Sequence, residues 1–238
     1  MIEMGLEFDL AIHEVVELLL SFPEPLRPQQ YSDAEVGPRG RRSIGGHAAF
    51  LEKTRARKGG IFLYNERVIY GLTATGNSLR SQATADVDAE VGAAVVESLF
   101  TGPLHASCHF AYACVREERI ARNRVSVQRG INSIEAWVGR DTRKVIPGLY
   151  WMTLLSRKLA DLHKVDIDKA AAEAVETWTI SDTCLVFKMY AAPQRWPDRA
   201  GNGRLTGEPW LFDVAQVMPD VDPAHDLMST LDTLRRWT

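Results

Sequence analysis

Apolar and polar residues alternate in short stretches along the chain, and this pattern predicts antiparallel strands. The first stretch has a period of two, typical of a half-buried strand, and its apolar positions are Leu6, Phe8, Leu10 and Ile12. Two apolar runs, 61–64 and 68–72, are separated by Asn65 and Glu66 and predict a β-hairpin. The more polar stretch 79–87 predicts a third strand, at the edge of the sheet.

Helical periodicity appears between the strands. It predicts helices at 47–57, at 88–100 with Asp88 as its cap, after Ser156, from Asp166 or Asp168 to Val175, and at 226–237. Further strands are predicted at 105–115, 134–138, 178–180 and 184–190, whereas the charged stretch 116–129 starts a helix or forms a mobile loop.

The order of these elements favours an α+β fold. Short hairpins dominate and strand–helix–strand repeats are few, so we expect mainly antiparallel sheet(s) with helices packed on one face. A single domain over residues 1–238 is predicted, with two similar sub-lobes, about 1–115 and 116–238, as the alternative.

Composition narrows the class of protein. Apolar residues make up 45% of the chain and charged residues 25%, as in ordinary globular proteins. The formal net charge of −3 argues against general nucleic-acid binding, which usually requires a strongly basic domain. The acidic start of the chain is unlike a signal peptide, and no apolar run is long enough to span a membrane. We therefore expect a cytoplasmic protein with no membrane or nucleic-acid partner.

The three cysteines do not form a disulfide framework, and we expect reduced, mostly buried thiols. His105, Cys108 and His109 form the candidate metal cluster of the chain. On a strand, the two histidines share one face while Cys108 points away, so only two ligands converge, fewer than zinc requires. We predict ordinary packing here, with no metal and no cofactor.

Two charged clusters are candidates for chemistry. Glu117 and Glu118 could act with neighbouring arginines as an acid–base group, but a solvated charged face is the simpler interpretation. Arg39, Arg41 and Arg42 lie in a glycine-rich stretch, where they could contact phosphate or simply form soluble surface. A Cys/His nucleophilic pair is disfavoured, because no cysteine precedes a helix N-terminus.

The stretch 145–156 has the most distinctive pattern in the chain. A Pro147-Gly148 turn precedes a dense apolar run that includes Tyr150 and Trp151, and Ser156 then suits the N-cap of a helix. On a strand, Tyr150 and Trp151 would face opposite sides, and we expect at least one of these rings in the core.

This stretch resembles bacterial immunity proteins that protect against secreted toxins, and it is most similar to the immunity protein 52 family and related type VI secretion immunity proteins. There, a Pro-Gly-x-Tyr-Trp-type strand is followed by a helix. The strand Phe110–Ala113 and the segment 118–123 fit loosely, and the rest of the chain fits by order of elements. The resemblance implies a stoichiometric inhibitor without a cofactor, whose partner is a cognate toxin.

Three functions therefore compete. The first is a toxin-neutralising immunity protein, the second a small enzyme with a cryptic His/Cys or Glu/Arg site, and the third a scaffolding module. We predict no catalytic residue. For partner binding we predict the Pro- and Gly-rich stretch 191–209, since Trp and Arg are enriched at interface hot spots; its candidate residues are Arg195, Trp196 and Arg199.

Overall fold

The computed structural model describes residues 1–57, 59–75, 80–102, 104, 108–129, 132–137, 142–143, 146 and 148–196. The chain divides into two compact units, Met1–Ala113 and Cys114–Thr238. The described part contains antiparallel sheet together with helices, so the predicted α+β fold class is confirmed. No described helix has the length and apolar character needed to cross a membrane. The predicted similarity of two sub-lobes stays a prediction.

In the part of the first unit that the structure describes, seven strands follow the order β7-β1-β6-β5-β4-β2-β3. Its elements are β1 (Ile2–Phe8), α1 (Ile12–Leu20), β2 (Gln30–Ser32), β3 (Arg42–Ser43), α2 (His47–Arg55), β4 (Ile61–Tyr64), β5 (Val68–Thr75), β6 (Arg80–Val87), α3 (Ala93–Phe100) and β7 (Cys108–Val115), whose last two residues belong to the second unit.

One face of this sheet is apolar. In the antiparallel register, Leu6 of β1 lies opposite Ala83 of β6, and Ala83 lies opposite Leu72 of β5. All three are buried, while Thr84, the residue after Ala83 in β6, is exposed. Helix α1 contacts β5, β6 and α2. The alternation of buried and polar positions therefore gives the sheet one core-facing side.

The predicted first strand is wrong in its second half. It ends at Phe8, and Ile12 instead begins α1. The spacing of the later apolar residues explains this, because positions three or four apart fall on one helix face; the buried residues of α1 are Ile12, Val15, Val16, Leu19 and Leu20. Glu14 reinforces the start of the helix, since its Oε2 accepts a hydrogen bond from the backbone N–H of Ala11 at 2.8 Å.

Two further predictions in this unit need correction. Strand β6 is not at an edge, because it pairs with both β1 and β5. Asp88 caps a short 3-10 turn at Ala89–Val91 rather than the long helix; Gly92, at φ +81°, then separates this turn from α3. The predicted hairpin and the helix beginning at His47 are confirmed as β4–β5 and α2.

Among its described residues, the second unit has three strands in the order β11-β12-β10 and a separate hairpin of β8 and β9. Its elements are α4 (Arg116–Asn123), β8 (Arg124–Arg129), β9 (Asn132–Trp137), β10 (Met152–Ser156), α5 (Arg157–Leu162), α6 (Ile167–Glu173), β11 (Glu176–Ser181) and β12 (Cys184–Lys188). The helix after Ser156 and the strand pair β11–β12 are confirmed. The predicted helix at 226–237 lies outside the described residues.

The aromatic pair Tyr150 and Trp151 precedes strand β10 rather than lying on a strand. The backbone N–H of Tyr150 donates to the hydroxyl of Thr153 at 2.8 Å, and the carbonyl of Trp151 accepts from Met189 N at 2.9 Å. Both side chains are nevertheless buried, at 1% and 0% exposure. The prediction that they face opposite sides of a strand is wrong, whereas their burial is confirmed.

Candidate functional site

The most concentrated charge in the first unit surrounds the edge strand β3. Residues 39–57 hold six Arg or Lys side chains against one carboxylate, although the whole chain has a net charge of −3. Most of the described residues from 33 to 49 are exposed. The three candidate phosphate-contacting arginines lie here. Arg39 is in a short 3-10 turn at Pro38–Gly40, Arg41 follows this turn, and Arg42 is in β3.

Aromatic rings beneath these cations hold them in place. The guanidinium of Arg42 lies 4.7 Å from the ring centroid of Tyr31, and the ammonium of Lys53 lies 5.0 Å from the same centroid. Lys53 also donates a hydrogen bond to the Tyr31 hydroxyl at 2.7 Å. Tyr31 itself is buried and packs against Phe50 of α2, with ring centroids 4.7 Å apart.

A single carboxylate links two of the arginines. Asp33 accepts hydrogen bonds from Arg57 and from Arg42. Both hydrogen bonds lower the pKa of the Asp33 carboxyl, and the bond from Arg57 has the larger effect. The hydrogen bond to Asp33 in turn raises the pKa of Arg42. We call Tyr31, Asp33, Arg42, Lys53 and Arg57 the β3-edge cluster. It holds three cations against one carboxylate.

Arg41 lies on the other side of the same sheet edge. Its guanidinium is 4.0 Å from the ring centroid of Tyr64. Because Tyr31 pairs with Leu63, the next residue Tyr64 points to the opposite face from Tyr31. Tyr64 is fixed from below, since its hydroxyl lies 2.8 Å from that of Ser32. The edge therefore presents guanidinium groups on both of its faces.

A second cluster in this unit joins β1 to β7. His109 Nε2 lies 3.2 Å from Oε2 of Glu7, and its Nδ1 lies 3.9 Å from Oδ1 of Asp9. The imidazole is 18% exposed, and Nδ1 is buried without a hydrogen-bond partner. An imidazole between two carboxylates is suited to proton transfer.

The candidate metal cluster of His105, Cys108 and His109 lies only partly within the described residues. His105 lies outside the described residues, and Cys108 Sγ lies within hydrogen-bond distance of two backbone carbonyls, at 3.2 Å from Glu7 O and 2.9 Å from Phe110 O. Within the described ranges, no group of three or more His, Cys, Asp or Glu residues could hold a metal ion. None of the three cysteines forms a disulfide and all three are buried, and burial raises the pKa of the Cys184 thiol to about 11.

In the second unit, the expectation of a solvated charged face at Glu117 and Glu118 is wrong for Glu118. This carboxylate is 0% exposed and accepts a hydrogen bond from Arg122 Nε at 3.0 Å, one turn further along α4. Arg122 Nη2 donates to the hydroxyl of Tyr190 at 2.5 Å. The hydroxyl of Tyr150 donates to Asn123 Oδ1 at 2.9 Å. The Glu/Arg pair is thus part of a buried polar network.

The predicted partner-binding residues are only partly described. Arg195 is exposed and ends a 3-10 turn at Pro193–Arg195, and Trp196, which follows it, is half-buried. Arg199 lies outside the described residues, so the role of this segment stays a prediction.

Sequence reasoning missed several of these residues. Glu7 and Asp9 escaped notice because their contact with His109 joins strands about a hundred residues apart. Tyr31 and Lys53 were missed because Tyr31 meets Arg42 only through the register of β2 with β3, and Lys53 reaches the Tyr31 ring from α2. The signal that could have located the cluster is the local excess of basic residues at 39–57.

No protein-family model matches the chain, and no curated protein or solved structure matches it either.

Proposed function

We propose that this protein is an immunity protein that binds a cognate bacterial toxin in the cytoplasm and neutralises it stoichiometrically. Competition between bacteria through type VI secretion is the setting that the resemblance at 145–156 implies. The proposed partner is the toxin, with no cofactor, membrane or nucleic acid required.

The observation that carries the proposal is the local structure of the resembling stretch. An aromatic segment runs into β10, and α5 follows at once, with Ser156 Oγ accepting a hydrogen bond from Leu159 N at 3.3 Å. The order of strand and helix matches that of the resembling immunity proteins, while Tyr150 and Trp151 precede β10 rather than lying on it. Since Tyr150 and Trp151 are buried, the stretch supports the scaffold and leaves toxin binding to other surfaces.

The test is to search the genome beside this gene for a toxin gene and to co-express that gene with this protein. We expect cells that produce the toxin alone to stop growing and cells that produce both proteins to grow normally. A variant with an early stop codon controls for the effect of co-transcription. Continued killing in the presence of well-expressed, folded protein would refute the proposed function.

A second candidate, a small enzyme, is favoured by the arrangement of Glu7, His109 and Asp9. In this alternative His109 acts as a general base, oriented by Glu7. The substitutions His109→Gln and Glu7→Gln then abolish protection while the melting temperature stays near that of the wild type. An immunity protein that acts by binding keeps its protection in both variants, provided that they fold.

A further inference from the structure

We infer that the β3-edge cluster is the toxin-binding surface and that it recognises an acidic face of the toxin. This inference rests on the proposed function and adds to it the location of the interface and the chemistry of the partner. Three features of the cluster support it: the composition of the cluster, its preorganisation and the distribution of charge over the chain.

The composition matches that of binding hot spots. Arg and Tyr are among the residues most enriched in the energetically dominant parts of protein interfaces. The side chain of Arg42 is 49% exposed, so its guanidinium offers N–H donors to solvent, although one of them is bound to Asp33. An incoming carboxylate can be bound by two parallel N–H groups of one guanidinium.

The cluster is also preorganised. Tyr31 lies beneath both Arg42 and Lys53, and Asp33 links Arg42 to Arg57. Long basic side chains usually lose rotamer freedom when a partner binds, at a cost of ~0.5–1.5 kcal/mol each. Cations that are already held against a ring and a carboxylate lose less, which makes an exposed cluster of this kind a better binding surface than free lysines or arginines.

The distribution of charge selects an acidic protein over other partners. Residues 39–57 are strongly basic on a chain that is acidic overall, so an acidic partner is attracted to this edge and repelled elsewhere. A nucleic acid would meet that repulsion along most of its length. The rings of Tyr31 and Tyr64 are also buried, so neither offers the open face on which unpaired bases stack.

The decisive variant is Arg42→Glu combined with Lys53→Glu. Both positions are exposed, so the double variant reverses the charge of the cluster without removing the Tyr31 ring. Arg67→Glu is the control outside the cluster, with half of the charge change of the double variant. Arg67 is also partly exposed and also paired with an exposed carboxylate, Glu90, but it lies in the β4–β5 turn outside the cluster.

The first measurement uses poly-L-glutamate and a single-stranded oligonucleotide as probes, at about 150 mM salt, where exposed charges further apart than ~8 Å are largely screened. We expect wild type and Arg67→Glu to bind poly-L-glutamate, and the double variant to bind it at least about tenfold more weakly. Equal binding by all three proteins, or cluster-dependent binding of the oligonucleotide that is tighter than that of poly-L-glutamate, would overturn the inference.

The second measurement uses the toxin that the co-expression test identifies, purified in a catalytically inactivated form. We expect the double variant to lose on the order of ten- to a hundredfold in affinity, mainly through slower association, and to keep its melting temperature. If the double variant binds the toxin like the wild type, or if Arg195→Ala and Trp196→Ala abolish binding instead, the surface is wrong but the proposed function stands. If the wild type itself neither binds nor protects, the proposed function fails and the inference fails with it.

Discussion

Two neighbouring aromatic residues, Tyr150 and Trp151, are both buried but are held by different forces. The hydroxyl of Tyr150 donates to Asn123, and the guanidinium of Arg122 lies 5.5 Å from the Tyr150 ring centroid. The indole nitrogen of Trp151 is buried with no hydrogen-bond partner. Trp151 therefore contributes through packing, whereas Tyr150 also contributes through a polar contact.

We predict that this difference appears in the stability of conservative variants. Trp151→Ala should lower the free energy of unfolding by ~3–5 kcal/mol, as expected for removing a fully buried indole. Tyr150→Phe should cost about 0.5–1.5 kcal/mol for the lost hydrogen bond, and leaving Asn123 unsatisfied adds to this. Urea denaturation measures both changes. An unchanged midpoint for Trp151→Ala would show that the indole is not in the core.

The buried pair Glu118 and Arg122 gives a second prediction at this scale. Removing one partner leaves the other charge buried and uncompensated, which typically costs ~3–5 kcal/mol. We therefore expect Glu118→Leu and Arg122→Met each to destabilise the protein strongly, and the double variant to be clearly more stable than the sum of the single effects suggests. A double-mutant cycle by denaturation measures the coupling. Additive effects would mean that the two side chains do not interact.

The cysteines give a third prediction at the residue scale. A thiol whose folded pKa is raised stays protonated, and so unreactive, at neutral pH. Cys184 has a pKa raised from 9.0 to about 11 by burial. Between these values the unfolded chain releases the thiol proton and the folded chain keeps it, so this contribution to stability falls as the pH rises through that window. It is fully present below pH 9.

The measurement is a thiol titration with a coloured disulfide reagent. All three cysteines are buried, so we expect slow reaction in the native protein at pH 7 and three reactive thiols after denaturation. Rapid reaction of Cys184 in the folded state at pH 7 would contradict the burial that raises its pKa.

At the scale of elements, periodicity in the sequence predicts local structure well and pairing between strands poorly. Helix α2, the β4–β5 hairpin and the β11–β12 pair arise from contacts near in sequence, and all three are predicted. The central position of β6 in the sheet is not predicted. Its polar residues indicate one solvent-facing side, which is also typical of an edge strand. Its pairing with β1 leaves no local signal, because it joins residues about eighty positions apart.

The candidate sites could be predicted only in part, because their polar side chains meet through tertiary contacts. The three arginines near β3 are evident from composition, but Tyr31 and Lys53 join them only through the register of β2 with β3 and the packing of α2. Likewise, Glu118 appears solvated in a charged stretch, and only the tertiary fold places Arg122 and Tyr190 around it. Contacts of this kind have no local pattern.

The cap of α5 is a prediction at the scale of one element. Ser156 Oγ accepts a hydrogen bond from Leu159 N and so satisfies one of the free N–H groups at the helix start. We expect Ser156→Ala to cost ~0.5–2 kcal/mol. Ser98→Ala is the control, since Ser98 is exposed within α3 and its hydroxyl only donates back to Val95 O. Equal, small losses in both variants would mean that the cap contributes nothing to stability.

At the scale of the whole molecule, the distribution of charge is the feature most relevant to function. The chain is acidic overall, yet its edge strand β3 is surrounded by cations that rings and a carboxylate hold in place. A charge distribution of this kind favours the approach of an acidic partner to this edge. That property suits an inhibitor that must bind its target before the target acts.

The most direct test of the account is a titration of toxin activity with the purified protein. A stoichiometric inhibitor lowers the activity in proportion to its amount and abolishes it at about one molar equivalent, with no further loss on longer incubation. An enzyme that modifies the toxin would abolish the activity at a small fraction of one equivalent, given time. We predict a linear decline that ends near equivalence. Complete inactivation by a small molar fraction, or full activity at several equivalents, would contradict the account.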